Sequence, residues 1–231
     1  MKRVTFSMAV MFLACGLALA QEAKPTRFEI YGGTGLPSVL SGPDLEGNSN
    51  IVLRFGFMPT ENFMLTLTYD HWDGNIASDD VLNSYFAEVY RDTVNSATDF
   101  NDALLTDSTM ELDQLEVSLV KAIPLGENKK WELFIGVGLG MQNATADVSW
   151  TGATKRLPDG SEVPADPELP DEALQDDGVV FFAVRGGASW LPLPWLALQT
   201  DLRLLPVNET FEESLNTLEV NFGVAFRFGK F

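Results

Sequence analysis

Leu218-Glu-Val-Asn-Phe-Gly-Val-Ala-Phe-Arg-Phe-Gly-Lys-Phe231 closes the chain, and its alternation decides the fold. Extended backbone sends successive side chains to opposite faces. Leu218, Val220, Phe222, Val224, Phe226 and Phe228 therefore share one face, and Glu219, Asn221, Gly223, Ala225, Arg227 and Gly229 share the other. A bulky apolar face backed by small and charged residues fits a strand with lipid on one side and a cramped polar interior on the other. The half-buried edge of a soluble sandwich alternates too, so the rest of the chain has to choose.

This segment resembles the C-terminal signal strand of bacterial outer-membrane β-barrel proteins. Phe222, Val224, Phe226 and Phe228 carry the resemblance, while the terminal Phe231 stands out of phase after Gly229-Lys230. The resemblance implies that these five residues form an assembly signal for the barrel-assembly machinery during insertion.

At the other end, Lys2 and Arg3 precede a mostly apolar run from Met8 to Leu19, and Ala18-Leu-Ala20 before Gln21 has the small-x-small form of a cleavage site. Residues 1–20 are expected to be a signal peptide and residues 21–231 a single barrel domain. Phe12-Leu-Ala-Cys15 loosely matches a lipobox, but Phe is unusual at its first position and apolar residues continue to Ala20. Nothing later in the chain reaches the roughly 18 apolar residues of a spanning helix. Cys15 is the only cysteine, so the mature chain is expected to hold no disulfide.

Composition agrees with an envelope sheet: 45% apolar residues, 19 glycines and a formal charge of −18. Removing Lys2 and Arg3 with the signal takes that charge to −20, which repels phosphates and excludes nucleic acid as a partner.

Eight alternating segments run along the chain. They are Arg27–Leu36, Asn50–Met58, Phe63–Trp72, Leu112–Ile123, a fifth from Trp131 through Met141, Val180–Trp190, Leu196–Leu204 and the terminal strand. Each covers about the 9–11 residues that a tilted strand needs to cross a bilayer. Their connections alternate in length. Pro59-Thr-Glu-Asn62, Gly126-Glu-Asn-Lys-Lys130 and Leu191-Pro-Leu-Pro194 are short; Pro37–Ser49, Asp73–Glu111, Asn143–Asp177 and Asn208–Thr217 are long. Short periplasmic turns and long outer loops have this parity in outer-membrane barrels, and both termini then lie in the periplasm. The fold class expected is all-β, an eight-stranded antiparallel up-and-down transmembrane barrel.

A lipocalin-like soluble barrel also alternates but turns its apolar face inward. The polar faces argue against it. Gly33, Gly35, Gly136, Gly138, Gly140, Ala183 and Gly187 are small where a water-facing sheet would carry Lys, Glu and Thr. Lys121 is the one charge with outward parity that sits awkwardly, and snorkelling or a bulge would accommodate it. Trp131, Trp190, Trp195, Phe57 and Phe63 gather at the short-turn end, and Tyr69, Trp72 and Trp150 at the long-loop end, as interfacial rings do. Trp72 and Trp150 have inward parity and are expected to pack in the barrel mouth.

Inward parity places Glu29, Asp70, Glu116, Glu132, Asp201 and Glu219 in the lumen with Arg54, Arg185, Arg203 and Arg227. Mixed signs in so narrow a tube read as a structural ion-pair network that plugs it, because eight strands enclose little more than side-chain volume. Asp201 and Arg203 share the seventh strand, with Arg185, Glu219 and Arg227 on its neighbours, and are expected to satisfy one another.

The long connections hold two, nine, nine and three of the 33 acidic residues. Within the second, Val81, Leu82, Tyr85, Phe86 and Val89 fall on one face of a possible short helix over Asp79–Arg91. The acidic clusters lack EF-hand spacing and read as a solvated face, so no metal and no cofactor are implied. His71, the only histidine, has outward parity near the outer rim and reads as a girdle residue. A lipid-A deacylase barrel would pair such a His with Ser, but Asp73 stands two residues on.

Signal, eight strands, loop asymmetry and terminal strand together resemble the small outer-membrane barrels of the OmpA/OmpX/OmpW-like, porin-family group. The resemblance implies outer-membrane lipid and lipopolysaccharide as surroundings, and a structural or surface-interaction role with an extracellular partner that no motif names. Transport of small hydrophobic solutes is the alternative, and lipid-A modification the third.

Overall fold

A computed structural model of the chain describes residues 27–41, 45–60, 62–76, 98–99, 104–151, 154–156, 162–164, 175–207, 209–210 and 213–229. Eight long strands carry the fold: β1 (Arg27–Ser41), β2 (Leu45–Met58), β3 (Phe63–Ile76), β4 (Leu104–Leu125), β5 (Trp131–Thr151), β6 (Gln175–Leu193), β7 (Leu196–Val207) and β8 (Asn216–Gly229). Each pairs antiparallel with the next, and β8 returns to β1 to close an up-and-down barrel. The closing seam runs without a break from Arg27↔Gly229 to Val39↔Thr217, leaving no free edge along it. Among the described residues no helix is long and apolar enough to cross a membrane, so crossing falls to the strands.

The two faces are inverted relative to a soluble barrel. Ile51, Ile135 and Phe222 are 59%, 57% and 54% exposed on the outer wall, whereas Arg185 and Arg203 are each 1% exposed inside. An unbroken apolar belt of that kind far exceeds the few hundred Å² that a soluble monomer leaves open to water. Lipid is the solvent that matches it.

The tight turns form where local chemistry closes them. Thr60 Oγ1 accepts a hydrogen bond from the Phe63 amide at 3.2 Å, and the Asn62 carbonyl accepts one from Ala122 at 2.8 Å. Between β4 and β5, Gly126 adopts φ 71°, a conformation a Cβ would strain. The β6–β7 turn is tighter than the sequence suggests: β6 runs through Leu193, which pairs with Leu196, so only Pro194-Trp195 turns.

The long connections are shorter than expected, because the strands continue into them. β4 begins at Leu104 rather than Leu112, β5 ends at Thr151, and β6 starts at Gln175. The physical reason is an inversion of sidedness. Above the lipid the outer face carries Glu111, Asp113, Thr145 and Asp147, while Met110, Leu112, Ala144 and Ala146 turn inward and are buried. Alternation persists, but with the apolar residues on the opposite face, so a search for outward apolar positions stops too early. Farther out, Thr154–Arg156 pairs with both Thr98–Asp99 and Glu162–Pro164 in a small separate sheet. The candidate helix over Asp79–Arg91 and the side chain of Trp150 lie outside the described residues.

Lys121 stays on the outer face in unbroken register, opposite Phe63 and Ile135, and no bulge re-aims it. Its place close to the β4–β5 turn lets its ammonium reach the interface along its own stem.

Candidate functional site: the barrel lumen

Ten charged residues, drawn from all eight strands, meet inside the barrel. At the short-turn end Arg227 Nη2 donates to Glu132 at 2.8 Å and its Nε to Glu29 at 2.9 Å. Glu29 lies 3.9 Å from Arg54, whose Nη1 donates to Asp201 at 2.8 Å. Arg185 links Asp201, at 3.8 Å, to Glu116, at 3.4 Å. Arg203 completes the chain: Nε donates to Glu116 at 2.7 Å, and Nη1 reaches Asp70 and Glu219, both at 2.9 Å. Six carboxylates face four guanidinium groups in one continuous ladder, all of them buried except the half-buried Glu132 at the short-turn end. Charges buried this deeply persist only because they are paired and hydrogen-bonded.

All ten residues expected in the lumen lie there, and the pairing follows expectation in part: of the group around the seventh strand, Asp201 meets Arg185 and Arg203 meets Glu219, but Arg227 turns instead to Glu29 and Glu132. Asp201 turns to Arg54 and Arg185, while Arg203 spans the lumen to Asp70 on β3 and Glu116 on β4 as well as Glu219 beside it on β8. Adjacent positions on one strand face point side by side, whereas a narrow barrel brings opposite walls within a side chain's reach.

Neutral polar residues extend the ladder, and a tally of charges alone misses them. Gln199 accepts from Arg54 Nη2, and Gln114 accepts from Arg203 Nη1 at 2.7 Å while donating to Gln142 at 2.7 Å. Asn50 donates to Asp70 at 3.3 Å and to Asn221 at 2.9 Å; Ser118 donates to Glu116. Inward parity was the available signal for all of them.

Two aromatic rings pack against the ladder. Tyr31 lies under the Arg54 guanidinium at 4.3 Å, and Phe181 lies 5.3 Å from that of Arg203. Both need glycine opposite: a Cβ at Gly223 would strike the Tyr31 ring, and one at Gly140 the Phe181 ring. Above this level the interior turns apolar, with Phe181, Ala183 and Leu205 in one cluster and Trp72 buried opposite Leu112. The expectation that Trp72 packs inside the mouth is met.

On the outer wall, Phe222, Val224, Phe226 and Phe228 face outward, with Phe226 stacked on Trp195 at 6.2 Å; Phe231 lies outside the described residues. At the outer rim Asp113 accepts a hydrogen bond from the Tyr69 hydroxyl at 2.6 Å and lies 3.0 Å from His71 Nδ1. His71 thus has a carboxylate neighbour on β4 and a tyrosine beside it, which moors an outward-facing acid at the rim. Among the described residues no group of three or more His, Cys, Asp or Glu is arranged to hold a metal ion.

No protein-family model matches the sequence, and none of the curated proteins does. Solved structures do match. Neisserial surface protein A aligns at TM-score 0.52 and 12% identity, over 88% of this chain and 96% of that one. Ail, the attachment invasion locus protein of Yersinia pestis, aligns at 0.45 and 10% over 88% and 97%. OprG from Pseudomonas aeruginosa aligns at 0.45 and 11% over 89% and 97%. With its closed antiparallel topology, outward apolar belt and charged lumen, the chain has the fold of the small eight-stranded outer-membrane β-barrels.

Proposed function

We propose that the chain is an integral outer-membrane protein, exported by a cleaved signal peptide, whose barrel is a closed anchor for an acidic surface-interaction face. The observation that carries the proposal is the lumen ladder. From Glu132 through Arg203 to Asp70 the interior cross-section is occupied by paired side chains, and an apolar layer around Phe181 and Leu205 lies over them. Outside the membrane the strands present Glu111, Asp113 and Asp147 to water. A binding surface on such a stem needs no conduction through it. The reading includes no catalysis: the one histidine pairs with Asp113, which Tyr69 engages as well.

Transport of small hydrophobic solutes is the second reading, favoured by the inward apolar residues Met110, Leu112, Phe181 and Leu205 near the mouth. Planar-bilayer recording separates the readings from a channel: the expected trace is silent but for rare, small openings. Steady, large, ion-selective steps would refute the plugged lumen. Barrel-dependent movement of an apolar dye across liposomes would replace the anchor with the carrier.

A further inference from the structure

The lipid-facing wall is not uniformly bulky. Between β5 and β8 it holds a depression of about 330 Å³ lined by Trp131, Ala188, Trp190, Leu198, Thr200 and Phe222. Its floor follows from register. Ala188 pairs with Thr200, and one step along the strands Gly186 pairs with Leu202, so small outward residues sit side by side on β6 and β7. Nothing but a backbone oxygen at 3.5 Å lies near the position of a Gly186 Cβ, so the floor continues as open space past Ala188. Trp131 and Trp190, stacked at 6.2 Å, wall the short-turn end.

That end also carries charge. Lys129 and Lys130 immediately precede Trp131 and are exposed, and the Lys130 carbonyl accepts a hydrogen bond from Leu191 at 2.7 Å, which ties it to the mouth of the groove. Two exposed lysines in the turn next to an interfacial Trp pair, at one end of an apolar depression, match one kind of occupant: a phosphate group followed by a hydrocarbon chain.

We propose that this groove is a discrete binding site for a glycerophospholipid of the leaflet at the short-turn end, its phosphate beside Lys129 and Lys130 and an acyl chain along Ala188 and Thr200. The proposal goes beyond the surface-interaction reading and rests only on the barrel spanning a membrane. The basic pair assigns the site to the short-turn leaflet, whereas the outer rim carries the acids Asp73, Glu111 and Asp113.

Native mass spectrometry of the full mature chain, released from detergent in the presence of dioleoyl phosphatidylglycerol, tests it. The wild type should hold one phospholipid under activation that strips the rest. Ala188→Trp and Thr200→Trp, each filling the floor from a different strand, should lose that adduct. Lys130→Gln should weaken it about fivefold, the worth of one basic side chain near an anionic surface. Equal retention by wild type and both tryptophan variants would overturn the proposal, as would a lipid-free dimer that the same variants abolish, which assigns the groove to a second copy. Preferential retention of lipopolysaccharide would overturn the choice of leaflet. Heat-dependent gel migration of each sample reports barrel closure separately, so a failure of the membrane-spanning reading is recognised apart from a failure of the site.

Discussion

Arg203→Ala removes the side chain on which the upper half of the lumen ladder depends. Its guanidinium serves Glu116 at 2.7 Å and Asp70 and Glu219 at 2.9 Å, in a position 1% exposed. At a charge separation of about 4 Å and an effective dielectric near 20, each pair is worth about 4 kcal/mol before desolvation. Desolvating the ions offsets several kcal/mol of that total, and water entering the vacated space softens the loss further. What is left after truncation is Asp70 and Glu219 with no guanidinium and Glu116 with Arg185 alone. Breaking a buried network in this way costs about 3–5 kcal/mol. With a urea dependence of about 2 kcal/mol/M, the unfolding midpoint should fall by roughly 2 M. The assay is equilibrium unfolding in detergent, followed by tryptophan fluorescence and by gel migration of unheated samples. Glu127→Ala, in the exposed β4–β5 turn, is the control and should change stability by no more than about 0.5 kcal/mol. Combining Arg203→Met with Asp70→Asn and Glu219→Gln should recover much of the deficit, because it removes the stranded charge along with its partner. An Arg203→Ala midpoint equal to wild type, or a combined variant no better than the single one, would refute the ion-pair reasoning.

Three further outcomes are expected. Mass spectrometry of envelope fractions should find Gln21 as the mature N-terminus, and an acylated Cys15 would replace the cleaved signal with a lipid anchor. Unheated protein should migrate faster than boiled protein on a detergent gel, since a closed barrel has no edge from which to unzip; identical migration would argue for an open sheet. Gly140→Val should lower stability by about 1–3 kcal/mol by driving a side chain into the Phe181 ring, and an unchanged urea midpoint would show that the upper lumen is loosely filled.

Much of the barrel is legible in the chain because lipid imposes a simple rule on the outer wall. Phe222, Ile135 and Ile51 reveal their strands by being apolar at every second position, and Pro59–Asn62 and Gly126–Lys130 mark two turns by composition. The same parity delivers all ten lumen charges. It says nothing of depth across the tube, so the reach of Arg203 to Asp70 and Glu116 is set by barrel diameter and stagger rather than by any local pattern. The rule also lapses where the lipid ends. Met110, Leu112, Ala144 and Ala146 are core residues of a wall standing in water, and their alternation has the opposite sense from that of Leu115 and Met141 just below.

That extension gives the protein height. β4 has 22 residues and β5 has 21, so at about 3.3 Å per residue and a tilt near 45° their hairpin rises roughly 50 Å. The apolar band it must cross is about 25 Å tall, and about as much again stands clear of the hydrocarbon. Electrostatic potentials decay over about 8 Å at physiological ionic strength. A molecule that meets the outer end of these two strands therefore stands about three screening lengths above the hydrocarbon, and feels this chain's charges more than those of the membrane in which it stands.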